Sequence, residues 1–291
     1  MDRPVVISAP DARLLAALGQ VYEPWPRPGR GEGPPIQLRL ESGPSDAEGA
    51  PLKISVEGPR LGLCGAGVSG WADARSLQAF CRVPATLADR PPASLAELTD
   101  TLLLFLLTRS GRVPLHAAGV MVGETALVMS GSSGSGKSTL SLAAMERGLR
   151  ILSDDTVYIQ LQPGLRIWGF PRPLHVFPAD APRFTAGMRL RGGKLKAAVA
   201  LPDWPGPPVA DRCALVLLER GAAVRLEPVS SEAAVQALSR LEPGFDLLAA
   251  ESDTAIRALA GAGARRLTLS KDPTEAIELL LEHFAVSGAS A

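Results

Sequence analysis

The chain has 291 residues, enough to bury one large core or a small lobe beside a main domain, and its 30 Lys+Arg balance 30 Asp+Glu, so no global field draws it to nucleic acid or an anionic membrane. Cys64, Cys81 and Cys213 are odd in number and far apart, which sets aside a disulfide framework or a cysteine metal site and fits small buried hydrophobes of a cytoplasmic protein. No apolar run nears the roughly 18 to 20 residues of a membrane span, and Met1-Asp2-Arg3 opens without a signal-peptide core, so no membrane partner is expected.

Residues 1–110 read as a small, mostly β N-terminal lobe with two linking helices. Strand patterns at Ile36-Gln37-Leu38-Arg39-Leu40 and Leu52-Lys53-Ile54-Ser55-Val56 are set apart by proline, glycine and acidic residues, and antiparallel pairing is expected. Residues 24–35, with Trp25 among several prolines, read as a surface loop. Helices are expected over 73–88 and 95–108, the second entered through Pro91-Pro92 with Ser94 as N-cap and Glu97 completing a capping box.

Residues 111–291 read as an α/β core. Strands are expected at 114–120, at Thr125-Ala126-Leu127-Val128-Met129, at Arg150-Ile151-Leu152-Ser153 and over 156–161, with a helix over 137–147 between the second and third. Residues 180–196, rich in Arg, Lys and Gly, read as a mobile loop, and 202–208 as a proline-rich turn. Strands over 214–218, 223–226 and 266–269 and helices over 231–241, 253–260 and 273–284 complete the chain, with no internal repeat.

The most specific local pattern is Gly131-Ser132-Ser133-Gly134-Ser135-Gly136-Lys137-Ser138, a match to G-x-x-x-x-G-K-[ST] between a buried strand and a helix. That context points to a nucleoside triphosphate: the backbone N–H groups of the loop and of the helix start, through Thr139, converge on phosphate oxygens. Lys137 would reach the β- and γ-phosphates and the Ser138 hydroxyl would take a place on Mg²⁺. Asp154 and Asp155 end the strand after the P-loop helix, which in an open parallel sheet puts them at the ligand-binding carboxyl edge. One could face Mg²⁺ and the other an acceptor hydroxyl, or both could be turn residues. His116, on a strand expected beside the P-loop strand, is either a core histidine or a partner that tunes a carboxylate.

The cations Arg183, Arg189, Arg191, Lys194 and Lys196 could clamp the γ-phosphate or an acidic peptide, with Arg189, Arg191 and Lys194 preferred, or form a solvated loop. His175 could line an acceptor cleft or be structural, and His283 reads as a surface residue at a helix end. There is no Leu-Ser-Gly-Gly-Gln signature and no Asn-Lys-x-Asp motif, which weighs against an ABC transporter ATPase and a GTPase.

The succession Leu115-His116-Ala117-Ala118-Gly119-Val120, the P-loop, then Glu146-Arg147-Gly148-Leu149-Arg150-Ile151-Leu152-Ser153-Asp154-Asp155 resembles the catalytic domain of HPr kinase/phosphorylase. It is most similar to divergent HPr-kinase-like proteins, some of which phosphorylate a serine of a ribosomally made precursor peptide, as in lasso-peptide tailoring. The resemblance implies a fold related to phosphoenolpyruvate carboxykinase and an ATP- and Mg²⁺-dependent kinase acting on a hydroxyl of a peptide or protein. Independently of it, a homo-oligomer is possible. The resemblance also implies that Lys137 and Ser138 act on phosphates and metal, that His116 stands beside the carboxylates, and that Asp154 and Asp155 share acceptor activation and metal contact, which aspartate is the base staying open. The family's P-loop commonly continues with a glutamate where this chain has Thr139-Leu140, which puts a reverse phosphorylase activity in doubt. Residues 1–110 do not resemble the regulatory domain of HPr kinases. An ATP-binding regulatory or assembly module and a small-molecule kinase are the alternative readings.

Overall fold

Residues 36–42 bury Ile36, Leu38 and Leu40 and expose Gln37 and Arg39, the period-two pattern of a strand with one covered face. The structure, a computed structural model, describes residues 3–22, 33–44, 49–170, 172–178, 180, 188–191, 194–241 and 249–285. The chain divides into two compact units, Met1–Arg112 and Val113–Ala291.

The first unit contains β1 (Val5–Ser8), α1 (Ala12–Tyr22), β2 (Ile36–Ser42), β3 (Lys53–Glu57), β4 (Arg60–Gly65), β5 (Val68–Asp73), β6 (Gln78–Val83), a short 3₁₀ turn (Ala85–Asp89) and α2 (Pro92–Arg109). Its sheet runs β1-β2-β6-β5-β4-β3, parallel at β1·β2 and β2·β6 and antiparallel elsewhere. Leu14 and Leu18 of α1 and Leu95, Leu102 and Leu106 of α2 share one core with the inward residues of β2 and β6. Burial there pushes the Cys81 thiol up to about 12, as expected of a packing residue rather than a nucleophile.

Three expectations for this region are corrected. The helix over 73–88 is a hairpin: residues 74–77 turn, Leu77 takes a positive φ of 56°, and β6 buries Ala79, Cys81 and Val83 while Gln78 and Arg82 face out. Period-two burial overrides the helix propensity of Ala, Leu and Gln. The later helix does form, but it starts at Pro92 with Pro91 as N-cap; Ser94 lies within its first turn, its N–H donating to Pro91 O at 2.9 Å. Proline at the first helical position pre-sets φ and needs no N–H partner, so it displaces the serine cap. The lobe is also less purely antiparallel than expected, and it includes α1, a helix that the sequence patterns did not predict. Of the loop expected over 24–35, residues 24–32, Trp25 included, lie outside the described residues.

The second unit continues with β7 (Arg112–Leu115), β8 (Ala118–Val122), β9 (Thr125–Ser130), α3 (Lys137–Glu146), β10 (Ile151–Ser153), β11 (Val157–Gln160), β12 (Arg166–Trp168), β13 (Leu174–Val176), β14 (Met188–Arg191), β15 (Lys194–Val199), β16 (Val209–Ala210), β17 (Arg212–Arg220), β18 (Arg225–Val229), α4 (Ser231–Leu241), α5 (Ala249–Gly261), β19 (Ala264–Leu269) and α6 (Pro273–Ala285). The chain is thus a mixed α/β protein with several sheets. The principal sheet of this unit runs β10-β8-β9-β17-β19-β18, beside a sheet β16-β12-β11-β7 and a third, β13-β15-β14. α3 and α6 pack on one face of the principal sheet through Leu140, Leu142, Ile277 and Leu280, and the α4–α5 pair lies in the core that holds the other face through Leu238 and Leu259.

The principal sheet is mixed rather than open and parallel, because β8 runs against both its neighbours and β18 against β19. The loop expected over 180–196 is corrected in its second half, where β14 and β15 pair from Met188↔Ala197 to Arg191↔Lys194. Ala197 and Val199 are buried in the core, so the second half of Lys194–Val199 anchors the strand although Lys194 and Lys196 are charged and Leu195 is exposed.

Candidate functional site

Strand direction brings the candidate residues to one edge. β8 is antiparallel to both β9 and β10, so β9 and β10 point the same way; β17 is parallel to β9 and β19 to β17. The carboxyl ends of β9, β10, β17 and β19 and the start of β8 therefore share one edge. That edge receives the 131–136 loop after β9, Asp154 and Asp155 after β10, His116 before β8 and Arg220 at the end of β17. His116 is not on a strand, as the sequence suggested, but on the bend between β7 and β8.

The loop is shaped by close approach and by backbone sign. A Cβ on Gly131 would lie 2.9 Å from the Leu218 carbonyl oxygen and 2.7 Å from Ser135 Oγ, so only glycine lets the loop seat on β17. Gly136 takes φ 111° as the N-cap of α3, a left-handed turn that swings the chain from loop to helix. The first helical bond runs from Leu140 N–H to Gly136 O at 2.9 Å, so the amides of Lys137, Ser138 and Thr139 are first-turn donors of the kind that bind anions. Lys137 is buried against the loop, with Nζ donating to Gly131 O at 2.5 Å. The Thr139 hydroxyl donates to Asp180 Oδ2 at 3.1 Å. Ser132, Ser133 and Gly134 form the exposed outer turn and Ser135 is buried beneath it.

The two aspartates have different surroundings. Asp154 is 5% exposed; its Oδ2 accepts the His175 amide at 2.9 Å, and its Oδ1 is buried with no hydrogen-bond partner among the described residues. Burial raises its pKa and the neighbouring Asp155 adds to the rise, against the His175 amide, the Ser138 hydroxyl and the Lys196 ammonium, which favour the carboxylate. Asp155 is half-exposed and pairs with His116, Nδ1 to Oδ1 at 3.1 Å.

This donor set fits Mg²⁺. An orphaned carboxylate oxygen and a hydroxyl close enough to influence it, Asp154 and Ser138, are hard oxygen donors beside the 131–136 loop. Among the described residues no group of three His, Cys, Asp or Glu could hold a metal by itself. Magnesium does not require one, since it is commonly held by one or two carboxylates, substrate phosphates and water.

Of the cations read from the sequence, Arg183 lies outside the described residues. Arg189, Arg191 and Lys194 take register positions on β14 and β15, where Arg189 is opposite Lys196, and their side chains lie outside the described part. Lys196 is described: its charge acts on Asp154 and its Nζ lies 5.3 Å from the centre of the Phe177 ring. His175 reaches the site through its backbone on β13, while His283 lies on α6 beside Arg265 and Phe284. Sequence reasoning missed Asp180 and Arg220. Asp180 carries no local signal. Arg220 had one, a charged residue closing the buried run Ala214–Leu218 at a strand's carboxyl end.

No family model matches the chain, and no curated protein matches it. Among solved structures, an HPr(Ser) kinase/phosphatase from Coxiella burnetii is similar at 14% identity and a TM-score of 0.31, over 60% of this chain and 97% of the other. Among the described residues, no helix is long and apolar enough to cross a membrane.

Proposed function

We propose that the protein is an ATP- and Mg²⁺-dependent kinase that transfers the γ-phosphoryl group to a hydroxyl of a peptide or protein, serine foremost, with a ribosomally made precursor peptide as the candidate acceptor. The observation that carries this reading is the buried, unpartnered Asp154 Oδ1 on the same sheet edge as a complete P-loop. A module that only binds nucleotide has no need for a second, half-exposed carboxylate paired with a histidine, and Asp155 with His116 supplies one.

The first-turn amides of α3 and Lys137 hold the phosphates and balance the charge that grows on the transferring group. Ser138 and Asp154 would hold Mg²⁺, which when bound neutralises phosphate charge. Asp155, oriented by His116, accepts the proton of the acceptor hydroxyl as its oxygen bonds to phosphorus and the bond to the leaving ADP oxygen breaks. This division gives the buried carboxylate to the metal and the solvent-facing one to an acceptor that must come and go.

Intact-mass measurement of precursor peptides incubated with Mg-ATP tests the reading, with a gain of one phosphoryl group expected. A folded Lys137→Ala variant that forms product at the parental rate would overturn it.

A further inference from the structure

Arg220 stands where a ligand's charge would be. It closes β17, and because Leu217 is in register with Ser130 at the end of β9, a residue three positions on is level with the P-loop rather than with the strand before it. Its Nη2 and Cζ lie 2.8 and 3.1 Å from the point where a Cβ on Gly136 would sit, with Leu269 Cδ1 at 3.0 Å. Nη1 of the exposed Arg220 donates to Ser270 O at 3.2 Å. Glu219, its neighbour, turns instead to Thr268 Oγ1 at 3.1 Å and Arg266 at 3.5 Å. Arg220 makes no ion pair with a carboxylate among the described residues.

We infer that Arg220 is a ligand of the nucleotide's polyphosphate, a planar fork of N–H donors carried to the P-loop on the adjacent strand. One bond to a carbonyl leaves most of its donors available, and Arg suits oxygen pairs of phosphate better than Lys does. Holding an unneutralised guanidinium against a loop whose amides already attract anions raises the local positive potential, which an anionic ligand relieves. The inference rests on the nucleotide reading above. It goes beyond the P-loop motif, which lies wholly on the β9–α3 connection and contains no residue of β17.

The test uses the full chain and two variants, Arg220→Gln and Arg220→Lys, with calorimetric affinities for Mg-ATP, Mg-ADP and inorganic tripolyphosphate and the melting temperature without ligand. Arg220→Gln should weaken all three ligands by roughly 10- to 100-fold, the span of one to two charge-assisted hydrogen bonds, with the unliganded melting temperature unchanged. Arg220→Lys should fall between, because it keeps the charge and loses the fork. If Arg220→Gln binds all three as the parent does, Arg220 is no ligand and serves only to tie β17 to Ser270. A lowered unliganded melting temperature with unchanged affinities would overturn the inference in the same way. If the parent itself binds none of the three, the nucleotide reading fails and takes this inference with it; parental binding that Lys137→Ala abolishes and Arg220→Gln leaves intact overturns this inference alone.

Discussion

Two clusters of buried polar atoms, one in each unit, are satisfied differently. In the first, the Tyr22 hydroxyl donates to Asp100 Oδ1 at 2.7 Å and lies 2.8 Å from Thr99 Oγ1, Thr99 donates to Ala96 O at 3.1 Å, and Thr108 donates to Leu104 O at 2.8 Å. In the second, Ser130 Oγ, Ser135 Oγ, Ser141 Oγ and Asp154 Oδ1 are buried without a hydrogen-bond partner among the described residues, as is Trp204 Nε1 in the turn before β16. Ser130, Ser135 and Ser141 all belong to the β9–loop–α3 segment, and Asp154 ends β10 at the same edge. An unmade buried hydrogen bond costs about 1–3 kcal/mol, so a cluster of them destabilises the free protein in a way that a ligand can offset. The polar cluster around Tyr22 is satisfied within the first unit, whereas the cluster around the 131–136 loop and Asp154 keeps unmade hydrogen bonds that the proposed ligands would complete.

The largest effect that would break this contrast is on transfer. Asp155→Asn should cut phosphopeptide formation by roughly 10²-fold or more, the scale of a lost general base, while Mg-ATP affinity measured by calorimetry stays near parental. His116→Ala should act in the same direction and less, because the carboxylate it orients remains. Parental rates in Asp155→Asn would remove the base from the mechanism and restore the binding-module reading. Next in size is the ligand's effect on stability: Mg-ATP at a hundredfold excess over Kd should add about 2.7 kcal/mol to the unit that binds it. Hydrogen exchange should then slow in peptides from β9 and α3 and not in those from β2 and α2. Uniform slowing across both units would contradict the division.

How much of this was legible in the sequence depended on the length scale of the signal. The strand–loop–helix at 125–146 was readable because its glycines are local necessities, Gly131 for the approach of Leu218 and Gly136 for a left-handed turn, and its flanking strand and helix are short-range patterns. The hairpin at 73–83 was not, because Leu77 at φ 56° is a turn forced by pairing on both sides and not by its own preference. His116 was legible as a residue but not as a bend, since its position follows from β7 and β8 belonging to different sheets. Asp180 and Arg220 reach the loop only through tertiary folding. The asymmetry between Asp154 and Asp155 was hidden for the same reason: adjacent identical residues differ only in what β13 and the β7–β8 bend bring to each.

In the first unit, Tyr22→Phe removes a donor to Asp100 and should cost about 0.5–1.5 kcal/mol, the net worth of a typical hydrogen bond. Exchange should quicken in peptides from α1 and α2, and the melting shift with Mg-ATP should persist at its parental size. Loss of that shift would mean that the two units do not keep their polar groups for separate purposes.

The smallest expected effect runs against intuition, because it is a gain. Asp154 has its pKa raised in the folded state, chiefly by burial, so its ionised form works against folding at neutral pH. A raised carboxyl pKa contributes stability that is fully present below the unfolded value of 3.8 and is lost as pH rises through the folded value. Asp154→Asn keeps the volume and an oxygen for the His175 amide, and it never carries the charge. The unliganded variant should therefore melt above the parent at pH 7, by on the order of 1 kcal/mol, since its amide must still find a partner in the place of Oδ1. The difference should shrink as pH falls toward 3.8, where the parent's carboxyl is protonated as well. The same variant should lose the Mg²⁺ dependence of nucleotide affinity, so that stability and binding move in opposite directions. A variant less stable than the parent at pH 7, with its metal dependence intact, would show that the second unit holds Asp154 for structure, as the first holds Asp100.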